Sequence, residues 1–129
     1  MIVVIPAYQP DEKLAALVSE LRQRTDYAIV IVNDGSSEDR LPLFARLEAD
    51  AVVLRHDVNR GKGRALKTAF SYIREHYPES EGVVTVDADG QHPPELFGKF
   101  ADAARANPDA IIAGVRDFSG RSVPPARRF

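Results

Sequence analysis

Cysteine is absent from this chain of 129 residues. Its absence excludes both a disulfide framework and a zinc site held by thiolates. Any bound metal must therefore be held by oxygen or imidazole ligands, which favours magnesium, manganese or calcium.

Neither sign of charge is in large excess, because 17 lysines and arginines stand against 19 aspartates and glutamates, giving a net charge of −2. A balance this close provides no broad basic surface, so we expect no nucleic-acid partner. Long hydrophobic runs are also lacking, since the longest falls well short of the roughly 18 residues that a transmembrane helix needs. Met1 leads into an apolar run at residues 2–5 without the charged region or cleavage site of a signal peptide, and we expect a cytoplasmic protein.

The apolar residues that are present come in short, β-branched runs separated by amphipathic stretches. This alternation is typical of βα units, and a chain of this length is expected to form one domain over residues 1–129. Strands are predicted at residues 2–5, 28–32, 51–54, 82–86 and 109–114. The fourth is almost wholly apolar, so we expect it to be covered on both faces of the sheet.

Helices are predicted between the strands, where apolar residues recur at helical spacing. The first follows Pro10, the second contains Leu43, Phe44 and Leu47, and the last covers residues 94–105. The third is expected to bury a stripe made up of Leu66, Ala69, Phe70 and Ile73. Together these elements predict an open, mostly parallel sheet with helices on both faces, a Rossmann-like α/β fold. Residues 116–129 contain arginine and proline without periodicity and are predicted to be a loop or tail.

Polar clusters follow the predicted strands. They occupy residues 7–8, 33–34, 56–63 and 87–91. Because ligands of open α/β sheets bind beyond the carboxyl ends of the strands, we expect these clusters to converge on one rim of the sheet.

Asp87 and Asp89 are the sharpest polar feature, directly after the fourth predicted strand. Carboxylates at the end of a buried strand are costly unless a cation compensates them. Two aspartates separated by one residue can hold a hard metal and leave positions for water and substrate phosphates, as is usual for magnesium. Gln91 can add a neutral carbonyl oxygen. The alternative is an Asx turn in which Asp89 caps the next helix.

Two further clusters have the composition to contact a nucleotide. Residues 33–37 offer acceptors for a nucleobase or ribose, although the same residues are typical of a turn followed by a helix cap. Residues 59–64 set two glycines and three basic groups, Lys62 among them, at a helix start, which suits a diphosphate. This loop lacks the spacing of a P-loop, and solvated loop charge is the alternative.

The isolated aromatic and imidazole side chains are ambiguous. Tyr8 can stack on a base or simply pack. His92 can be a metal ligand, but we favour a surface imidazole. His56 and His76 have no obvious partner in the sequence.

Five segments resemble, in order, the motifs of family 2 glycosyltransferases, and the resemblance is closest to the polyprenyl (dolichyl) phosphate sugar transferase branch. The segments are residues 5–8, 32–36, 59–65, 87–95 and 114–116. The resemblance implies a GT-A fold, whose nucleotide-binding half this chain supplies, and a UDP- or GDP-sugar as donor. It implies that the base is contacted by Asp34 and by the loop at Ala7 and Tyr8. The expected donor-binding residues are Pro6, Ala7, Tyr8, Asp34, Lys62 and Arg116.

The resemblance also implies the chemistry of the site. Asp87 and Asp89 are then the catalytic residues and, with Gln91, hold magnesium or manganese against the donor diphosphate. Such a metal acts as a Lewis acid toward the departing nucleoside diphosphate. Arg116 and either Arg127 or Arg128 resemble arginines that family members use near donor or lipid phosphates.

Two departures from the family pattern bear on function. Asn33 stands where many members have aspartate, which removes a charge from the base site. The sequence ends at Phe129, where family members continue with the strands of the acceptor side, so we expect the acceptor-binding part to be lacking. Asp117 is available as a general base but can equally pair with a neighbouring arginine. The alternative function is therefore a non-catalytic nucleotide-sugar-binding or assembly module.

Membrane contact and self-association are two further expectations. The related branch works at the cytoplasmic face of membranes on a polyprenyl phosphate acceptor. Arg121, Arg127 and Arg128 can contact anionic headgroups, at about 1 kcal/mol each, which would give a peripheral membrane contact. An unpaired sheet edge can be covered by a second copy of the chain, which would give a homo-oligomer.

Overall fold

The computed structural model describes residues 1–113 of the chain. It contains four strands, which are β1 (Ile2–Ala7), β2 (Ala28–Asp34), β3 (Val52–His56) and β4 (Val83–Thr85). They form one sheet in the order β3-β2-β1-β4, and all three neighbouring pairs are parallel. Ile2 of β1 pairs with Ala28 of β2 on one side and with Val83 of β4 on the other, so these three strands begin at the same level of the sheet.

Helices link and follow these strands. Within residues 1–113 they are α1 (Glu12–Arg24), α2 (Leu41–Leu47), α3 (Lys62–His76) and α4 (Phe97–Ala106). Single 3₁₀ turns, Glu38–Arg40 and Pro94–Leu96, precede α2 and α4. The start of α1 is capped by Asp11, whose side chain accepts a hydrogen bond from the Lys13 N–H at 2.9 Å. None of the helices described combines the length and the apolar run that crossing a bilayer would need.

Both faces of the sheet are covered, because successive residues of β1 and β2 alternate between two apolar clusters. One cluster joins the sheet to α1, α2 and the start of α4, and its strand residues include Val3, Ile5, Ile29 and Ile31. The other joins the sheet to α3, and its strand residues are Ile2, Val4, Val30 and Val32. Each fully buried side chain of this kind contributes about 1.5–3 kcal/mol. Burial on both faces explains why these two strands are apolar throughout.

The order of the strands reverses beside β1. From β1 the chain passes outward to β2 and β3, and it then returns through α3 to β4 on the other side of β1. The crevice between the carboxyl ends of β1 and β4 is therefore the topological switch point, where open α/β sheets bind their ligands. The predicted fold class, an open parallel sheet with helices on both faces, is confirmed.

The fifth strand, predicted at residues 109–114, is wrong for the part that the structure describes. Ala110 donates its N–H to the carbonyl oxygen of Asn107 at 3.0 Å, which closes a turn, and residues 111–113 have no regular structure. The side chain of Ile111 is 98% exposed. A short β-branched run forms a strand only when it packs on a neighbouring strand, and residues 1–113 provide none for this run.

β4 is shorter than predicted and lies at an edge of the described sheet. Val83 and Thr85 are exposed, so the expected covering of this strand on both faces is wrong. The physical reason is its position, because within residues 1–113 it pairs with β1 alone. Val86 is buried and extends the contact by donating its N–H to the carbonyl oxygen of Val4 at 2.9 Å.

The buried stripe of α3 differs from the predicted one. Ala65, Ala69 and Ile73 are buried and Leu66 is partly buried, whereas Phe70 is 43% exposed. Successive helical residues point about 100° apart, so the residue after Ala69 turns away from the sheet. The prediction that Phe70 belongs to the buried stripe is therefore wrong.

Candidate functional site

An open cleft of about 280 Å³ lies at the switch point between β1 and β4. Its walls come from the loop after β1 and from the turn after β4, and the lining residues include Pro6, Tyr8, Gln9, Lys13, Asp87 and Asp89. A second cleft, of about 370 Å³, lies beside Met1 and Ala28 at the amino ends of the strands. Position and chemistry favour the first as the candidate site, because ligands of such sheets bind at the carboxyl ends.

The turn after β4 presents its two carboxylates to the first cleft. Asp87 is partly buried and Asp89 is exposed. The Gln91 N–H donates to Oδ1 of Asp89 at 3.0 Å, so the Asx turn that the sequence offered as an alternative is present. The Asp87 N–H donates to Nδ1 of His92 at 3.2 Å. The ring of His92 therefore supports the turn through this nitrogen.

Lys62 brings a positive charge to the same turn. Its Nζ donates to Oδ1 of Asp87 at 2.5 Å, across 25 positions of sequence. Lys62 is the first residue of α3, where the positive end of the helix dipole makes a cation unfavourable. The first turn contains no acidic residue to offset this charge. The two side chains are 60% and 42% exposed, and such a pair contributes about 1 kcal/mol at most. The contact matters for its position, because it sets a long cationic side chain beside a carboxylate of the cleft.

Asp34, at the end of β2, fixes the loop that carries Lys62. It is 3% exposed, and its Oδ1 and Oδ2 accept hydrogen bonds from the N–H groups of Arg60 and Gly61, each at 2.9 Å. Burial by itself would raise the pKa of Asp34. The two amide hydrogen bonds and the contact with His56 outweigh burial and hold this pKa below its ordinary value, so the carboxylate is ionised at neutral pH.

His56 ends β3 directly opposite Asp34 in the register of the sheet. Its Nδ1 lies 2.7 Å from Oδ1 of Asp34, and its Nε2 lies 2.8 Å from Oγ1 of Thr68 in α3. Because an ionised carboxylate only accepts, Nδ1 carries a proton and donates a hydrogen bond to Asp34. The expectation that His56 has no partner is wrong: its 7% exposed ring connects β2, β3 and α3.

The turn after β2 is packed against the same loop. Gly35 has a φ of 71°, in the left-handed region, and a Cβ there would overlap the backbone of Val58 and Asn59. Asn33 is buried and accepts a hydrogen bond from the Ser36 N–H at 2.9 Å through its Oδ1. The side chain of Asn33 is thus used within the turn, as the turn alternative for residues 33–37 predicts.

Gln9 joins the loop after β1 to the turn after β2. Its N–H donates to Oγ of Ser36 at 2.9 Å, and its Oε1 accepts from the Ser37 N–H at 2.7 Å. Its φ of 50° lies in the left-handed region, which is uncommon for a residue other than glycine. These contacts fix the loop that carries Tyr8, whose ring is 58% exposed at the cleft.

The predicted convergence of the polar clusters on one rim is confirmed by these contacts, but the predicted site residues do not all line the cleft. Those that line it are Pro6, Tyr8, Asp87 and Asp89, and Lys62 reaches it through Asp87. Ala7 and Asp34 are buried and are not among the residues that line it. Gln91 is exposed and contributes its N–H to Asp89. The candidates outside the described residues are Arg116, Asp117, Arg121, Arg127 and Arg128. The functional roles assigned to all these residues stay predictions.

Sequence reasoning missed Gln9 and Lys13, and it left His56 and His76 without partners. Lys13 lies in the first turn of α1 and lines the cleft. It follows the first strand closely in the sequence, and this proximity is a signal that could have located it. The contact between His56 and Asp34 could not be predicted from the sequence, because only the register between β2 and β3 places them side by side. His76 stacks on Tyr72, with ring centroids 4.0 Å apart, and this contact stays on α3.

The order of the strands and the polar cleft at the switch point define a doubly wound α/β protein, the class in which ligands bind at this crevice. The sequence profile of glycosyl transferase family 2 matches residues 2–128. The chain therefore belongs to glycosyl transferase family 2, as the resemblance of its motifs predicted.

Two of the three relatives compared below are named as sugar transferases. The chain is 36% identical over 93 residues to an uncharacterised protein of Methanocaldococcus jannaschii, covering 72% of this chain and 37% of that protein. It is 27% identical over 128 residues to the UDP-N-acetylglucosamine–dolichyl-phosphate N-acetylglucosaminyltransferase of Methanococcus voltae, covering 88% and 50%. It is 32% identical over 120 residues to an undecaprenyl-phosphate 4-deoxy-4-formamido-L-arabinose transferase of Sodalis glossinidius, covering 84% and 35%. The chain thus spans between about a third and a half of the length of these relatives.

A solved structure supports the fold independently. The crystal structure of residues 1–349 of S. aureus TarS superposes with a TM-score of 0.67 at 22% identity, covering 95% of this chain and 37% of that TarS chain. At this identity the similarity concerns the fold alone.

Proposed function

We propose that this chain forms the donor site of a glycosyltransferase that moves a sugar from a UDP- or GDP-sugar to an acceptor such as a polyprenyl phosphate. The observation that carries the proposal is the cleft lined by Asp87 and Asp89, with Lys62 bound to Asp87. Two carboxylates and a lysine in such a crevice suit a metal-bound diphosphate. Membership of the family, and relatives named for transfer to dolichyl and undecaprenyl phosphate, support the same function.

Asp87 and Asp89 fit a magnesium or manganese ion that keeps several water or phosphate ligands. Among residues 1–113, no three His, Asp or Glu side chains cluster so that they could hold a metal alone. Two carboxylates are the usual protein share for a hard octahedral ion that takes its other ligands from water and substrate phosphates. The ammonium group on Asp87 indicates that this carboxylate already faces a cation. Gln91, on the same turn, is the proposed third ligand.

The chain's own residues would hold the donor by its diphosphate. A metal bound there supplies Lewis-acid neutralisation of the charge that develops on the departing nucleoside diphosphate. Lys62 can leave Asp87 and donate to the diphosphate, because its side chain is long and 60% exposed. Lys13 lines the same cleft and adds a second cation.

The nucleoside is proposed to lie against the loop that contains Pro6, Ala7 and Tyr8. The exposed ring of Tyr8 is available for stacking on a base. Asp34 is proposed to contact the base as well, since Oδ2 accepts from Gly61 and a carboxylate oxygen can accept a second hydrogen bond. Its 3% exposure means that this contact requires the turn after β2 to open. Arg116 is proposed to contact the donor phosphates.

The cellular setting is part of the proposal. We place the protein in the cytoplasm, with Arg121, Arg127 and Arg128 giving it a peripheral contact at the cytoplasmic face of a membrane that carries the acceptor. Relatives named for dolichyl phosphate and undecaprenyl phosphate support the membrane contact. Among residues 1–113, β4 lies at an edge of the sheet with Val83 exposed, which supports a homo-oligomer in which a second copy covers that edge.

The first test is isothermal titration of UDP and of GDP into the chain, with manganese and with EDTA. We expect one nucleotide to bind with manganese and its affinity to fall by about tenfold or more with EDTA or in Asp89→Ala, because each removes a charged contact to the diphosphate. Asp26→Ala is the matched control, since Asp26 is an exposed aspartate that precedes β2 at the opposite end of the sheet. Binding of neither nucleotide, or binding indifferent to manganese and to Asp89, would contradict the proposed site.

Sugar transfer is tested separately from binding. The wild-type chain is incubated with sugar derivatives of the nucleotide that binds and with polyprenyl phosphate, and the release of nucleoside diphosphate is followed. Release that depends on the acceptor and on Asp89 is the expected result. Donor binding without release on a panel of acceptors would favour the alternative, a non-catalytic nucleotide-sugar-binding or assembly module.

A further inference from the structure

His56 is the buried titratable group that the proposed function leaves without a role. Its side chain is 7% exposed and lies behind the cleft, at the end of β3. Buried histidines are commonly plain core residues. This one, however, contacts the carboxylate that holds the loop leading into α3.

We propose that His56 is a positioning residue for the donor site. It fixes the Asp34 carboxylate, and Asp34 in turn holds the amides of Arg60 and Gly61 and so sets where Lys62 meets the cleft. The proposal rests on the proposed function, because it concerns the affinity of that same site for a nucleoside diphosphate. It adds a residue that touches neither metal nor nucleotide.

The ring of His56 is held on two sides. Nδ1 donates to Asp34 at 2.7 Å, and Nε2 lies 2.8 Å from the hydroxyl of Thr68. Two hydrogen bonds on opposite sides of an imidazole fix both its plane and its χ2 angle. Thr68 belongs to α3, so the ring ties the position of the carboxylate to the body of that helix.

Asp34 needs this support because its two oxygens have separate tasks. Oδ1 accepts from both His56 and the Arg60 N–H, whereas Oδ2 accepts from the Gly61 N–H. A carboxylate that lost the imidazole donor would be free to rotate about its Cβ–Cγ bond. The amides of Arg60 and Gly61 would then lose a fixed acceptor. Lys62 follows Gly61 directly, so the displacement would reach the residue that contacts Asp87.

Replacing His56 by asparagine or by glutamine distinguishes the contributions of its two ring nitrogens. The side-chain amide nitrogen of His56→Asn falls near the position of Nδ1 and can still donate to Asp34. The amide of His56→Gln reaches the position of Nε2, where it can bond Thr68 but cannot replace the bond to Asp34. Both variants remove the ring, so a purely structural role predicts similar losses from both. A positioning role predicts rescue by asparagine alone.

The experiment measures amide hydrogen exchange by NMR and nucleotide affinity by titration with manganese, in the full 129-residue chain. For His56→Gln we expect exchange at Arg60 and Gly61 to accelerate about tenfold or more, and the affinity for the nucleotide that wild type binds to fall by a similar factor. His56→Asn should restore both to within about threefold of wild type. His76→Asn, which changes an exposed histidine of α3, is the matched control and should change neither.

Equal changes in His56→Gln and His56→Asn, or no change in exchange at Arg60 and Gly61 in the glutamine variant, would overturn the proposal. If the glutamine variant does not fold, Thr68→Val replaces it, since it removes the far support of the ring with little change of shape. Faster exchange at the same two amides is then expected, and unchanged exchange overturns the proposal. If wild type binds no nucleotide, the proposed function fails and the donor-site role of His56 falls with it, whereas the exchange data alone still decide whether His56 positions Asp34.

Discussion

At the scale of single residues, Lys62 and Asp87 show how a weak contact can serve binding. They stand 25 positions apart and meet as a half-exposed ion pair that contributes about 1 kcal/mol at most. A diphosphate with its metal offers stronger partners to both side chains than they offer each other. Under the proposed function, this pair would keep both charges compensated before the donor binds and would be exchanged readily when it does.

Removing the cation of the Lys62–Asp87 pair should have opposite effects on the binding of manganese alone and of nucleotide with manganese. In Lys62→Met, manganese alone should bind up to about fivefold more tightly, because Asp87 loses its competing cation. The affinity for the nucleotide with manganese should instead fall by about tenfold, because a charged contact to the phosphates is lost. Titration of manganese alone and of nucleotide with manganese measures both.

Lys67→Met is the control for this prediction, since Lys67 is another exposed lysine of α3. Its substitution should leave both affinities unchanged. A decrease in both affinities for Lys62→Met would show that Lys62 does not compete with the metal.

At the scale of elements, the site depends on how the loops at the carboxyl ends of β1, β2 and β3 are joined. Gln9 connects the first loop to the second through Ser36 and Ser37. Asp34 connects the second to the third through backbone amides. Each loop is polar and exposed, so its conformation depends on these few hydrogen bonds and not on apolar burial. A substitution that separates two loops should therefore affect binding even where it touches no ligand.

Gly35→Ala is the substitution that tests this dependence. An alanine Cβ at φ 71° is strained and would overlap the backbone at Val58 and Asn59, so the turn and the loop must separate. We expect the free energy of unfolding to fall by about 2–4 kcal/mol and the nucleotide affinity to fall with it. Denaturant unfolding and titration measure the two effects.

Gly98→Ala gives the matched control in α4, where an added Cβ meets nothing within 4 Å. It should stabilise the protein by about 0.5–1 kcal/mol through helix propensity and leave affinity unchanged. A Gly35→Ala protein as stable as wild type would contradict the close packing of the two loops.

At the scale of the whole molecule, the sheet buries apolar residues on both faces and one carboxylate at its rim. Asp34 is the charged group that ties this rim to global stability, since it is 3% exposed and ionised. Its folded pKa lies below its unfolded value, so its contribution is fully present above the unfolded value and is lost as pH falls through the folded one. The stabilisation that ionised Asp34 contributes to the folded state should therefore be lost only in acid.

Asp34→Asn tests this pH dependence. An asparagine side chain has one acceptor oxygen, so one of the two loop amides is left unpaired and the variant should be less stable at pH 7 by about 1–3 kcal/mol. The difference from wild type should stay constant above the ordinary pKa of 3.8 and shrink below it. Urea unfolding at a series of pH values measures it, with Asp26→Asn as the exposed control. A difference that does not change down to pH 2.5 would contradict an ionised, hydrogen-bonded Asp34.

The sequence by itself determined the elements and their class. The apolar alternation of β1 and β2 predicts strands buried on both faces, and helical spacing locates the helices, because both periods follow from local backbone geometry. The order of the polar clusters and the rule that parallel strands end at one rim bring residues 7–8, 33–34, 56–63 and 87–91 together. The family was likewise recognisable, because its motifs are short and keep their order in the chain.

Only the tertiary structure decided the neighbours. The register of β2 against β3 sets His56 on Asp34, and the return of the chain through α3 brings Lys62 to Asp87. Within residues 1–113, β4 lies at an edge of the sheet and Val83 is exposed, although the sequence of β4 resembles that of the buried strands. Local sequence encodes period and turn chemistry, whereas pairing partners and edges depend on contacts between distant segments. For that reason the sequence predicted which loops meet, and the fold decided which side chains touch.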